Sequence, residues 1–187
     1  MKNLVIAALL GISLVGCATL EALKEPVDYD STYKRVTFTT DNYKGTRTYK
    51  SPILTINEGK NIDNELMMGY LTFTKANDGS ELYCLMTTYD SKNWAFFKTA
   101  YDINQKELPV INGSRNVGSM FNDVLVTENN CIQLSKKYLE DASMGNGLNI
   151  KLIGEKKQKV IKIGAYYVKA FLDAVSYSET TRFSKNP

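Results

Sequence analysis

Carboxylates are the first side chains to consider for chemistry, because the 187-residue sequence contains no histidine. Without histidine, Ser-His-Asp catalysis, Cys-His catalysis and histidine-ligated zinc sites are excluded. A glycoside hydrolase needs two acids held about 5 to 10 Å apart across a sugar. The candidate pairs are Glu58 with Asp63, Asp123 with Glu128, and Glu140 with Asp141. Solvated surface charge is the better interpretation of these acids, so a carboxylate-based cell-wall glycan hydrolase is only an alternative.

Other catalytic patterns have no support in the sequence. Ser135-Lys136 and Ser91-Lys92 lack the Ser-x-x-Lys spacing that places both groups on one helical face. A helix N-cap accounts for the Ser135 hydroxyl. No Gly-x-Gly-x-x-Gly or phosphate loop occurs. We therefore predict no catalytic residue, no cofactor and no metal, and a protein that is not an enzyme.

Aromatic side chains are the remaining candidates for molecular recognition. The chain has twelve tyrosines and one tryptophan, and such side chains add contact area with little loss of entropy. Strand propensity explains most of them. If a binding surface for a protein or a glycan exists, its predicted members are Tyr83, Tyr89, Trp94 and Tyr101.

Alternating and β-branched segments predict a domain rich in strands. The clearest signal is a hairpin in which 66–75 and 81–89 flank the turn Asn77-Asp78-Gly79. Its alternation predicts that Leu82, Cys84 and Met86 lie on the apolar face. Further strands are predicted at 35–40, 47–57, 94–103, 108–111, 123–127, 131–134, 148–154 and 159–163, with a loop at 112–116.

Two helices complete the predicted domain. Ser135 as N-cap predicts a helix over about 135–144, and apolar residues at i, i+3, i+4 and i+7 predict another over about 165–177. The fold class is α+β, a single domain over 35–177 built on an antiparallel β-sheet meander, with a sandwich-like arrangement as one form of it. Residues 17–34 are predicted to be a flexible tether, and 178–187 a frayed tail.

The first residues form a separate targeting segment. Lys2 precedes an apolar run over 4–15, which is shorter than the roughly 20 residues that a membrane-spanning helix needs. The run ends in Leu14-Val15-Gly16-Cys17 and so resembles the lipobox of a bacterial lipoprotein. The resemblance covers residues 1–18 and implies removal of a signal peptide at 1–16 and attachment of diacylglycerol to Cys17. Ala18, which is not aspartate, implies an outer-membrane destination.

If Cys17 carries lipid, Cys84 and Cys131 are left as an even pair in the oxidising periplasm or at the cell surface. Such a pair indicates a disulfide, which on the chain-entropy model would stabilise the fold by about 4 kcal/mol. Two separate buried thiols are the alternative, because the sequence does not fix the Cα separation.

Together these features predict a lipid-anchored cell-envelope protein with a non-catalytic binding or structural role. Its expected partners are the membrane, through the N-terminal lipid, and another envelope protein or a glycan. A lipoprotein that excludes phage or conjugating donors is a further alternative. The net charge of +3, which falls to +2 without Lys2, is too small to favour nucleic acid.

Overall fold

The fold of the protein is taken from a computed structural model, which describes residues 26–56, 65–120 and 123–183. The predicted α+β class with an antiparallel sheet meander is confirmed. The described strands, in chain order, are β1 (Thr37–Asp41), β2 (Thr46–Lys50), β3 (Leu54–Thr55), β4 (Leu66–Ala76), β5 (Glu81–Ser91), β6 (Phe97–Asp102), β7 (Glu107–Leu108), β8 (Val110–Met120), β9 (Asp123–Leu134), β10 (Leu148–Gly154) and β11 (Gln158–Ile163).

The described strands form two sheets that share one core. The larger has the order β1-β2-β4-β5-β9-β8, with β3 paired to β4, and the smaller has the order β11-β10-β6-β7. Tyr89 of the larger sheet meets Phe97 of the smaller edge to face, with 5.3 Å between ring centroids. Both side chains are fully buried, so the two sheets contribute to the same core.

Three helices are described: α1 (Tyr29–Lys34), α2 (Lys136–Met144) and α3 (Ala165–Phe183). The Ser135 hydroxyl accepts a hydrogen bond from the backbone N–H of Tyr138, 3.1 Å away, as the N-cap prediction requires. Leu139 of α2 and Phe171 of α3 are fully buried in the common core. These helices therefore cover the part of the larger sheet that the smaller sheet leaves free.

The prediction of a tether over 17–34 is wrong for its last part. Asp28 and Ser31 form a capping box that begins α1, with 2.8 Å from the Ser31 backbone nitrogen to the Asp28 carboxylate. The Tyr29 hydroxyl donates to Asp173 of α3 over 2.8 Å. Asp28 and Ser31 thus begin a helix that belongs to the domain. Residues 17–25, including Cys17, lie outside the described residues.

The frayed tail predicted at 178–187 is also wrong over 178–183, where α3 continues. Glu179 accepts two hydrogen bonds from the Arg47 guanidinium, each 2.8 Å long, and one of 2.9 Å from the Tyr49 hydroxyl. This bidentate pair joins the end of α3 to β2. Residues 184–187 lie outside the described residues.

The predicted β4–β5 hairpin forms, with Gly79 in the left-handed conformation at φ 87°. Its apolar face, however, was assigned wrongly in β5. The register places Leu85 opposite Leu71 and Tyr83 opposite Phe73, and these four side chains are buried in the core. Cys84 and Met86 therefore lie on the other face, because successive strand residues point to opposite sides.

Cys84 and Cys131 are joined by a disulfide, with 5.4 Å between their Cα atoms. They lie on the neighbouring strands β5 and β9, where Cys131 pairs with Met86. The disulfide consequently crosses the outer face of the larger sheet. The predicted loop at 112–116 is instead part of β8, which continues the sheet beyond β9 with a register shift between Asn112 and Arg115.

The Glu179 contacts predict a pH-dependent contribution to stability. Burial alone would raise the pKa of the Glu179 carboxyl, but the hydrogen bonds from Arg47 and Tyr49 hold it below its ordinary value. A carboxyl with a lowered folded-state pKa stabilises the fold above its unfolded pKa and loses this contribution as pH falls through the folded value. Glu179→Gln should lower the free energy of unfolding by about 2 kcal/mol at neutral pH, and the difference should shrink below about pH 4.

Urea unfolding of the wild-type and variant chains across this pH range measures that difference. Glu140→Gln is the matched control, because its carboxylate forms an exposed ion pair with Lys136 at 3.7 Å that is worth only about 0.5 kcal/mol. A Glu179→Gln effect that stays constant down to strongly acidic pH would contradict the electrostatic origin of the contribution.

Candidate ligand-binding groove

The acids considered for catalysis have structural contacts where the structure describes their side chains. Glu128 is completely buried, and its carboxylate accepts hydrogen bonds from the backbone N–H groups of residues 95, 96 and 97. Glu140 and Asp141 form i,i+4 ion pairs with lysines on the surface of α2. Glu58 and Asp63 lie outside the described residues, as does the side chain of Asp123.

The predicted aromatic surface does not form. Tyr83 and Tyr89 are only 7% and 0% exposed, because the core face of β5 consists of these residues. Trp94 lies in the connection between β5 and β6 beside Phe96, with 6.0 Å between ring centroids. Tyr101 pairs with Lys151 in the smaller sheet. The four residues therefore do not form one surface. Two lie in the core, one in the connection between the two sheets and one in the smaller sheet.

The described part of the chain has solvent-open grooves on two sides of α2. The first, which we call the interhelical groove, has a volume of about 580 Å³ and lies between α2, α3 and the β4–β5 hairpin. Its charged side chains pair with one another, as Lys75 does with Glu81 at 2.8 Å and Lys169 with Asp173 at 2.7 Å. Binding a charged ligand there would break contacts that the fold already uses.

The second groove lies where the smaller sheet ends beside α2, and we call it the sheet-end groove. It has a volume of about 660 Å³ and is enclosed by the second half of α2, the α2–β10 turn, the adjoining ends of β10 and β11, and the β6–β7 turn. Ile103, which is 72% exposed, supplies an apolar wall, and Ala142, Leu148 and Ile163, at most 8% exposed, form the core beneath the groove. The volume is within the range of roughly 300 to 1,000 Å³ that small-molecule sites occupy.

Gly147 allows the walls of the sheet-end groove to meet. Its φ is 82°, and a Cβ atom at this position would lie 2.0 Å from the Ile163 carbonyl oxygen. Any side chain there would push the α2–β10 turn away from the end of β11. The short segment Gly145-Asn146-Gly147 that follows α2 thus brings the helix end against the sheet.

Asp102 orders the turn that forms the opposite wall. The side chain is 8% exposed, and its carboxylate accepts hydrogen bonds from the backbone N–H groups of Asn104 and Lys106 over 2.8 and 2.9 Å. Gln105 between them is left-handed, with φ 63°. Burial raises the pKa of the Tyr138 hydroxyl, and the charge of Asp102 adds to this shift. The two hydrogen bonds to Asp102 therefore order the turn.

Five carboxamide and ammonium side chains line the sheet-end groove without a partner. They make no hydrogen bond or ion pair with any other residue that the structure describes, and they are Asn104, Lys106, Asn146, Asn149 and Lys162. Asn149 and Lys162 are directly opposite each other in the β10–β11 register, which places their Cβ atoms about 5 Å apart. Groups that are open to new hydrogen bonds thus come from four separate segments of the chain.

Sequence reasoning identified segments of this groove but did not predict that they lie next to one another in the fold. Residues 104–106 and 145–147 have the polar and glycine-rich composition of turns. No motif connects them, because the contact depends on the packing of α2 against the end of the smaller sheet. The local feature of the sequence that could have indicated this groove is the presence of asparagine in two turns and at a strand end.

The described residues contain no group of three or more side chains placed to hold a metal ion. None of the helices described here combines the length and hydropathy needed to cross a membrane. Comparison of the chain with protein-family models, curated proteins and solved structures finds no match.

Removing the Asp102 carboxylate should loosen the groove wall. In Asp102→Ala the N–H groups of Asn104 and Lys106 lose their acceptor, so their amide hydrogen exchange should accelerate about ten-fold or more relative to wild type. The control is Asp141→Ala, which removes an exposed carboxylate paired with Lys137 at 3.2 Å. Unchanged exchange at Asn104 and Lys106 in the Asp102 variant would show that the carboxylate does not order the turn.

Proposed function

We propose that this protein is a lipid-anchored protein of the cell envelope that binds a ligand in the sheet-end groove and has no catalytic role. The observation that carries the proposal is the set of five unpartnered polar side chains around an apolar wall. Concave sites with a few convergent polar groups are the usual form of binding sites. The interhelical groove, whose charges are paired internally, lacks this property.

Two further features support binding without catalysis. The chain has no histidine to act as a general base, and Glu128, the candidate acid with the greatest burial, is already saturated by backbone N–H groups. The unpartnered groups around the groove are carboxamides, ammonium groups and the Tyr138 hydroxyl, and its two carboxylates, Asp102 and Asp141, are engaged by backbone N–H groups and by Lys137. Carboxamides and protonated amines hold and orient a ligand but do not take up protons from it.

Anchoring through Cys17 would place the groove close to the membrane. The described domain begins at Pro26, nine residues after Cys17, and an extended chain covers at most about 3.5 Å per residue. The start of the domain would therefore stay within about 30 Å of the lipid. A ligand on the membrane or in the adjoining cell wall would be within reach.

The anchor is tested by growth with labelled palmitate followed by cell fractionation. Wild-type protein should take up the label and remain with the outer membrane, whereas Cys17→Ala should lose both properties because it has no sulfur to acylate. Cys84→Ala, which keeps Cys17, is the control for loss of a cysteine. Normal labelling of the Cys17 variant would contradict the proposed anchor.

The binding role is tested by capture of solubilised envelope material on the full-length, immobilised chain. Lys106→Gln/Lys162→Gln should reduce retention of a defined component about ten-fold or more, since both ammonium groups line the groove. Lys34→Gln/Lys44→Gln removes the same charge from exposed positions elsewhere and should retain the component normally. Equal retention by both double variants would contradict a function for this groove.

A further inference from the structure

The neutral side chains of the sheet-end groove favour a ligand with many hydroxyl groups. Each of Asn104, Asn146 and Asn149 offers two N–H donors and a carbonyl acceptor. A hydroxyl group both donates and accepts, so it can pair with either end of a carboxamide. None of these three carboxamides has a partner among the described residues, which leaves all of their hydrogen-bonding capacity for a ligand.

The two lysines add a requirement for negative charge. Lys106 stands in the β6–β7 turn and Lys162 near the end of β11, on opposite sides of the groove. Neither forms an ion pair with the described acids, while Asp102 is engaged by backbone N–H groups and Asp141 by Lys137. Backbone N–H groups do not cancel the charge of Asp102, so Lys106, Lys162 and Asp102 together leave the groove with a net charge of about +1, which favours an anion.

The exposed side chain of Ile103 suits the carbon-bound hydrogens of a sugar ring. Ile103 is 72% exposed at the rim of the groove, whereas Leu148 and Ile163 are 1% and 2% exposed and belong to the core. A ring with hydroxyl groups at its edge and C–H groups on its face could meet the carboxamides and this side chain together.

An acidic peptide fits less well. Extended peptides bind by adding a strand along a free sheet edge, where a row of backbone groups is exposed. The sheet-end groove instead opens at the ends of β10 and β11, and β10 is an interior strand between β11 and β6. The edge strand β11 borders the groove only through its last two residues, Lys162 and Ile163, so a bound peptide would find little of a strand edge to pair with.

We propose that the sheet-end groove binds an acidic carbohydrate, a sugar that carries a carboxylate or a phosphate. The carboxamides pair with its hydroxyl groups, Lys106 and Lys162 hold its anionic group, and the apolar wall supports its ring. This inference rests on the proposed function, which assigns the groove to ligand binding.

Calorimetric titration of the full-length chain in detergent tests the ligand class with two matched pairs of probes. Tetragalacturonate is compared with galactotetraose, and N-acetylglucosamine 1-phosphate with N-acetylglucosamine. In at least one pair the acidic probe should bind about ten-fold or more tightly than its neutral counterpart. Lys106→Gln/Lys162→Gln should remove this preference and leave neutral affinity unchanged, whereas Asn104→Ala/Asn149→Ala should weaken both members of the pair.

Equal affinity for acidic and neutral probes would overturn the assignment, as would the absence of binding in both pairs or tighter binding of tetraglutamate. The same loss of preference in Lys34→Gln/Lys44→Gln would place the anion elsewhere and also overturn it. If neither acidic sugar binds but envelope material is still retained in a groove-dependent manner, the ligand class is wrong and the proposed function stands. If that retention is absent as well, both are wrong.

Discussion

The buried carboxylate of Glu128 is the constraint on which the arrangement of the two sheets depends. A buried charge costs several kcal/mol unless it is compensated by charge-assisted hydrogen bonds, and here the compensation comes from three successive backbone N–H groups at Ala95, Phe96 and Phe97. These residues lie where the chain leaves β5 of the larger sheet and enters β6 of the smaller. Phe96 is left-handed, with φ 56°, so the successive N–H groups converge on the acid as in an anion-binding nest. Arg115 on β8 approaches the same carboxylate to 3.7 Å.

Strand β9 connects the buried Glu128 carboxylate to the sheet-end groove. Glu128 near its middle fixes one end of the smaller sheet through the crossing, and six residues later β9 ends at Leu134, directly before the Ser135 cap of α2. The opposite end of the smaller sheet and α2 are the two sides of the groove. Their separation is therefore set by a single strand, with Gly147 permitting close approach and Asp102 ordering the remaining turn. A rigid framework of this kind fixes the backbone positions that carry the groove side chains, so binding does not have to order the backbone.

The sequence predicted those features that depend on neighbouring residues. The Asn77-Asp78-Gly79 hairpin, the Ser135 cap and the start of α3 follow from turn chemistry, side-chain capping and helical period. The core face of β5 could not be predicted, because Tyr83, Cys84, Leu85 and Met86 are all apolar enough for either side. Glu179 and Arg47 are 132 residues apart in the sequence. No local pattern therefore predicted that α3 continues through Glu179. The groove combines segments near residues 104, 146 and 162, and only packing shows that they converge.

The central claim is that these converging side chains are the binding site. Its most direct test is an NMR titration of the full-length chain with the solubilised envelope fraction that the chain retains, following the side-chain carboxamide signals of every asparagine. The account predicts that the signals of Asn104, Asn146 and Asn149 shift together and saturably, while that of Asn129, which is hydrogen-bonded to Thr88 and Ser114 in the larger sheet, stays in place. Unchanged signals from the three groove asparagines, with shifts confined to residues of the interhelical groove or of β8, would contradict it.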